Sequence, residues 1–350
     1  MTRKPGTLAA ALAGWLLAFG TAQAATVYIP EGSAGEVLVV DTETDTAIGR
    51  LSGLPDIHGL GGVAGGRYLV AGSLAEGAPE GATAVAKPAG VSAAEHAAHH
   101  GGGMKSASPA VSILTVIDKA DGSAVRRLEV PGAVHHVAVS PDGKYAVATH
   151  PNADGVSIVD LTDLSVLGFV RTGALPNYAA FSPTGPTVYV SNGGDGTVSE
   201  IDSRVWEVRR TLTAGESPEH LVVSPDGRSL YVANVDAGTV TEIALESGQV
   251  ARSIAIGGEL HGLDVSSNGR RLFVSGRGEN KLVSVDLRTG KTHTGWPGMS
   301  PYHLTVIPGA GKLYVSSNDE PKVWVVDQAS LTVQGVIALR GVGHQMVVMP

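Results

Sequence analysis

A motif recurring every 42 residues, strand-and-turn chemistry inside each copy, and the near absence of helical periodicity predict an all-β chain. Together they point to a seven-bladed β-propeller of four-stranded blades. The motif is clearest at residues 136–143 (His-Val-Ala-Val-Ser-Pro-Asp-Gly), 178–185 (Tyr-Ala-Ala-Phe-Ser-Pro-Thr-Gly) and 220–227 (His-Leu-Val-Val-Ser-Pro-Asp-Gly), with weaker copies from Gly262 and His303. The successive offsets are 42, 42, 42 and 41 residues, the length of one propeller blade.

Each unit justifies its strands in turn. A short β-branched run enters Ser-Pro-Asp-Gly, where proline sets φ and glycine accepts the left-handed corner. The second strand follows at 188–192 (Val-Tyr-Val-Ser-Asn), 230–234 (Leu-Tyr-Val-Ala-Asn), 272–276 (Leu-Phe-Val-Ser-Gly) and 313–317 (Leu-Tyr-Val-Ser-Ser). A polar loop leads to a third strand ending in Asp, as at 197–202 and 282–286, and a fourth such as 208–212 completes the blade. The terminal Asp residues read as turn formers.

First strands fall near His58, His135, Asn177, Glu219, His261, Tyr302 and His344, which makes seven units. The last has room for an inner strand alone before Pro350, so residues 25–52 are expected to supply its other three strands, at 26–29, 36–41 and 47–50. Closing the ring with strands from both termini removes exposed sheet edges. One blade is interrupted: between the second strand at 67–70 and the third at 111–118, residues 73–109 are rich in Ala, Gly, Pro and Ser. They read as a flexible surface insertion, and 25–350 as one domain.

The first 24 residues are read apart from the fold. Arg3 and Lys4 precede an apolar stretch from Leu8 to Phe19 and an Ala22-Gln23-Ala24 cleavage signature, the pattern of an export signal. The stretch is too short to span a bilayer. Cutting after Ala24 removes two positive charges, so the formal charge moves from −8 to −10. An acidic, exported, periplasmic protein is expected, with neither a nucleic-acid partner nor stable membrane insertion. The absence of cysteine excludes disulfides, thiolate zinc sites, iron–sulfur clusters and a catalytic thiol. No phosphate-cradling glycine loop opens a helix, and no nucleophile elbow is present.

The Tyr-Val-Ser/Ala-Asn strand ends, the Ser-Pro-Asp-Gly turns and the 42-residue spacing resemble the YVTN-type β-propellers. That resemblance spans essentially the whole of 25–350 and implies the fold; such propellers host unrelated activities.

Function is suggested by the histidines. His58, His135, His136, His220, His261, His303 and His344 all stand at the start of an innermost strand, and the third blade offers Asn177 and Tyr178 instead. Inner strands line the channel, so these imidazoles should converge at one mouth. A lone histidine there would be a polar channel liner; seven at equivalent positions point to a metal. His150, ending the second strand of its blade, lies on a loop of the same face. Within the insertion, residues 92–95 (Ser-Ala-Ala-Glu) read as a capping box, placing His96 and His100 on one helical face beside His99 and followed by Met104. Without thiolates, an exported site for a borderline metal must rely on His with Asp, Glu or Met. Asp56, Glu219 and Glu259 are candidate oxygen ligands or acceptors for the distal ring N–H. His293 reads as surface, and Tyr178 and Tyr302 as walls of the mouth. Histidines 58, 135, 136, 220, 261, 303 and 344 occupy two registers one residue apart, and adjacent strand residues point oppositely. A single ring therefore requires bulges or two stacked layers.

The histidine ring resembles the propeller of nitrous oxide reductase, which implies a copper-type site, although the cysteine-bearing electron-delivery domain of that enzyme has no counterpart here. The cluster and the 92–104 segment also resemble exported propeller metallochaperones of zinc-uptake systems. A resemblance to cytochrome d1-type propellers would make one histidine a haem ligand, with Arg277, Lys281 and Arg340 facing haem carboxylates. The reading that unites these features is a periplasmic propeller that binds copper or zinc at the channel mouth. It would capture the metal and deliver it, exchanging with a metal-donor or metal-acceptor protein. A copper-dependent oxidoreductase, a d1-type haem protein and a cofactor-free scaffold are the alternatives.

Overall fold

A computed structural model of the chain describes residues 25–78 and 110–349. Seven antiparallel sheets of four strands each follow one another along the chain. The inner strands of the first six blades are Ile57–Gly61, Val137–Val139, Pro176–Phe181, Pro218–Val223, Leu260–Val265 and Pro301–Ile307. In the seventh, Val347–Met349 pairs with Thr26–Pro30, which continues through Glu36–Asp41 to Thr46–Ser52. The ring is thus closed by strands from both termini, as expected. Among the described residues the helical segments are three single 3₁₀ turns, and no helix is long and apolar enough to cross a membrane.

The core is divided among the seams between blades. Seven apolar clusters occupy the seven seams. One unites Tyr189, Val198 and Leu212 with Leu221, Leu230 and Val232 of the next blade. The middle strands produce this, because with a side-chain period of two each strand feeds apolar side chains to both flanking seams. The repeated turns behave as their residues dictate. Ser140 Oγ accepts from the Tyr145 amide at 2.9 Å while Gly143 takes φ 71°. The third-strand aspartates cap the following turns, for example Asp286 Oδ1 accepting from the Thr289 amide at 2.7 Å.

The second strand of the interrupted blade, Tyr68–Ser73, runs three residues further than the sequence suggested, and Val111–Asp118 forms the third. Gly77 and Val111 exchange two backbone hydrogen bonds at 2.8 and 3.0 Å. His96, His99, His100 and Met104 lie outside the described residues. Because neighbouring strands are antiparallel, the link between second and third strands lies at the end of the ring where inner strands begin. That end is the mouth of the channel.

Candidate metal centre

Five of the inner strands begin with a bulge. In the third blade Pro176 pairs with Asn192 and Ala179 with Val190, so Asn177 and Tyr178 together face Ser191. The same two-against-one step occurs at His58–Gly59, Glu219–His220, His261–Gly262 and Tyr302–His303. In the second blade, Thr149 bonds both His135 and His136 through its backbone, each at 3.0 Å. A bulge leaves one residue unpaired and re-aims side chains. Two successive layers of side chains consequently face the axis, and the two histidine registers seen in the sequence are brought into one cluster.

In four blades an amide at the start of the inner strand is satisfied by a hydroxyl. Thr149 Oγ1 accepts from the His136 amide at 2.9 Å, Ser191 Oγ from Tyr178 at 3.0 Å, Ser275 Oγ from Gly262 at 2.6 Å and Ser316 Oγ from His303 at 3.2 Å. The Thr149 hydroxyl then donates to the Asn177 carbonyl of the next blade at 2.8 Å. These hydroxyls were present in the strand motif as its Ser or Thr, but their task was not visible before the register was known. Glycine is required at two places in the lower layer. A Cβ on Gly59 would lie 2.9 Å from His136 Cα, and one on Gly262 would lie 2.5 Å from the Tyr302 carbonyl oxygen.

Seven imidazoles form one contiguous buried group. Ring centroids are 4.8 Å apart for His58–His135, 4.2 Å for His58–His344, 4.4 Å for His135–His136 and 5.2 Å for His136–His220. His303 is central, 4.8 Å from both His220 and His261 and 5.6 Å from His136. Two triads, His58–His136–His303 and His220–His261–His303, each offer ligand atoms that lie within 4.8 Å of one another. His135 and His344 pack beside His58 and stand outside both triads.

Hydrogen bonds orient several rings. The Asn177 carbonyl can only accept, so His136 donates through Nδ1–H at 2.8 Å and its Nε2 must carry the lone pair. That Nε2 is buried with no hydrogen-bond partner, as is His303 Nε2. His261 Nδ1 lies 3.3 Å from Glu219 Oε2, and its ring stacks on Tyr302 at 3.8 Å. A backbone carbonyl or carboxylate on the far ring nitrogen is the arrangement that orients metal-binding histidines. Burial first, and then the neighbouring imidazoles, hold His136 and His303 well below the ordinary histidine range. Both are neutral at pH 7, the form in which imidazole binds a metal.

His150 does not join the group, and its expected place among the ligands is corrected. It occupies the strand-end position held by Asn192 and Asn234 in later blades. Its Nδ1 donates to the Ala133 carbonyl at 3.2 Å and its Nε2 accepts from Ser157 Oγ at 2.8 Å. Asn192 and Asn234 bond the equivalent Ser199 and Thr241, so His150 is a loop clamp. Burial lowers its pKa to about 4. The cations considered for haem carboxylates are engaged within the protein: Arg277 with Glu259, Lys281 with Glu279 at 2.6 Å, and Arg340 with Glu36 at 3.0 Å. With the imidazoles in mutual contact, no slot for a macrocycle exists among them. Asp56 is exposed, and His293 is a surface residue as expected, bonded to the Ser330 carbonyl at 3.0 Å.

Residues 169–333 match the family model of the YNCE-like β-propellers. No curated protein matches the chain. Among solved structures, the chain is similar to Kuenenia stuttgartiensis hydrazine synthase, with a TM-score of 0.69 at 16% identity, covering 87% of this chain and 93% of that one. It is also similar to the periplasmic gluconolactonase of Pseudomonas aeruginosa, with a TM-score of 0.65 at 17% identity, covering 94% and 99%. A Bacteroides fragilis protein titled a 6-phosphogluconolactonase matches with a TM-score of 0.72 at 13% identity, over 95% and 99%. At these identities the likeness carries the propeller fold and no activity.

Proposed function

We propose that this propeller is an exported, periplasmic protein that binds copper or zinc at the channel mouth and handles the metal as cargo. The observation that carries this reading is the pair of buried triads, whose ligand atoms fall within 4.8 Å of one another in an all-imidazole donor set. The Asn177 carbonyl on His136 and the Glu219 carboxylate on His261 support it, since they aim the opposite nitrogens inward. Imidazole without thiolate suits zinc and copper. The neck of the insertion, at Gly77 and Val111, sits on the mouth face. Residues 92–104, with His96, His99 and His100, would be the capturing arm that passes the ion to the ring.

Metal analysis of protein purified from its native compartment, combined with an absorption spectrum, tests the reading. Stoichiometric zinc or copper supports it, and a metal-free protein that binds neither ion overturns it. A redox-sensitive visible band would move the assignment to a copper oxidoreductase. Deleting 92–104 should slow loading and leave the affinity of the ring intact; an unchanged loading rate refutes the transfer step. N-terminal sequencing that begins at Ala25 checks export.

A further inference from the structure

The two triads share a residue, and that limits what they can hold together. We propose that they are alternative seats for a single divalent ion, with His303 the ligand common to both. This rests on the metal-binding reading above and goes beyond it by setting stoichiometry, ligand hierarchy and a path for the ion inside the cluster.

The argument begins from donor count. A neutral imidazole has one in-plane lone pair, its other nitrogen carrying hydrogen. His303 can therefore complete His58–His136–His303 or His220–His261–His303 at any moment, never both. Charge points the same way. Two dications would bring four positive charges into a buried cluster that Glu219 enters as the carboxylate near the rings, 3.3 Å from His261 Nδ1. Like charges held this close in a desolvated site repel strongly. The seats adjoin, because His303 is 4.8 Å from His261 and His220 and 5.6 Å from His136, and His136 is 5.2 Å from His220. An ion can pass between them by exchanging two ligands while His303 holds on. The seats also differ in character: the His261 side carries the carboxylate, and the His136 side is oriented by a neutral carbonyl.

The test is zinc titration of the purified protein against a competing chelator, with cobalt spectra as a second readout of ligand number. One ion per chain is expected. His58→Ala and His261→Ala remove one seat each and should weaken zinc by about twofold if the seats are of similar strength. His303→Ala and the double variant His58→Ala/His261→Ala should each weaken it roughly 100-fold or more, since each leaves no intact triad. Thermal melts of the metal-free variants confirm folding, and the comparison of single with double variants stands without His303→Ala. Two zinc ions per chain, or a single His58→Ala loss as large as the double loss, overturns the shared-seat proposal and leaves metal binding standing. A wild-type protein that binds no zinc, cobalt or copper removes the reading on which it rests.

Discussion

Replacing His303 with leucine should raise the stability of the metal-free protein and abolish its response to zinc. His303 is 3% exposed and its Nε2 has no hydrogen-bond partner. A buried polar atom left without a partner costs about 1–3 kcal/mol. Leucine has similar volume and no polar atom, so the substitution removes that cost with little cavity or overpacking penalty. The backbone amide of residue 303 keeps its bond to Ser316 Oγ. A gain of about 1–2 kcal/mol is expected, which raises Tm by a few degrees in a domain of this size. Zinc at 100 times its Kd should stabilise the wild type by about 2.7 kcal/mol and the variant by nothing comparable. The order of melting therefore reverses: His303→Leu melts above wild type in chelator and below it in zinc. Differential scanning calorimetry under both conditions measures this. If His303→Leu melts below wild type without metal, or gains as much from zinc, the view of His303 as an imidazole kept for a ligand is wrong.

Three further outcomes follow from the same geometry. Thr149→Val keeps shape but deprives the His136 amide of its 2.9 Å acceptor and the Asn177 carbonyl of a 2.8 Å donor; urea unfolding should show a loss of about 1–3 kcal/mol. His150→Asn should keep zinc stoichiometry and flatten acid sensitivity. His150 has its pKa depressed to about 4, so it adds stability above the unfolded value near 6.5 that is lost as pH falls towards 4. Denaturation of both proteins across that window should show the wild type losing up to about 3 kcal/mol more. Gly262→Ala would force a Cβ to 2.5 Å from the Tyr302 carbonyl oxygen; calorimetry should show one of the largest single-site losses in the protein, beyond about 3 kcal/mol.

The repeat was legible because a blade is a local object. Its four strands, its Ser-Pro-Asp-Gly turns and its terminal aspartates lie within 42 residues, and each residue type acts through its own backbone or its nearest neighbours. Ring closure could be read for a similar reason: a unit left with only 344–350 at one end and three strands at the other had one way to complete its hydrogen bonds. His150 shows that position on a loop does not fix the direction of a side chain. Its two ring nitrogens were claimed by Ala133 and Ser157, partners visible only once the Asn192 and Asn234 slots could be compared across blades.

From the sequence alone came the propeller, its seven units and the gathering of histidines at one end of the inner strands. Whether His58, His135, His261 and His344 could meet His136, His220 and His303 was beyond it, since successive strand residues ordinarily point to opposite faces. For His58, His220, His261 and His303 the bulges settled that, through a register that depends on the pairing of separate strands. The orientation of the His136 ring was settled by the Asn177 carbonyl, which reaches it across a blade boundary 41 residues away. Composition and spacing describe which groups a chain carries; the direction of a lone pair is a property of what folds against it.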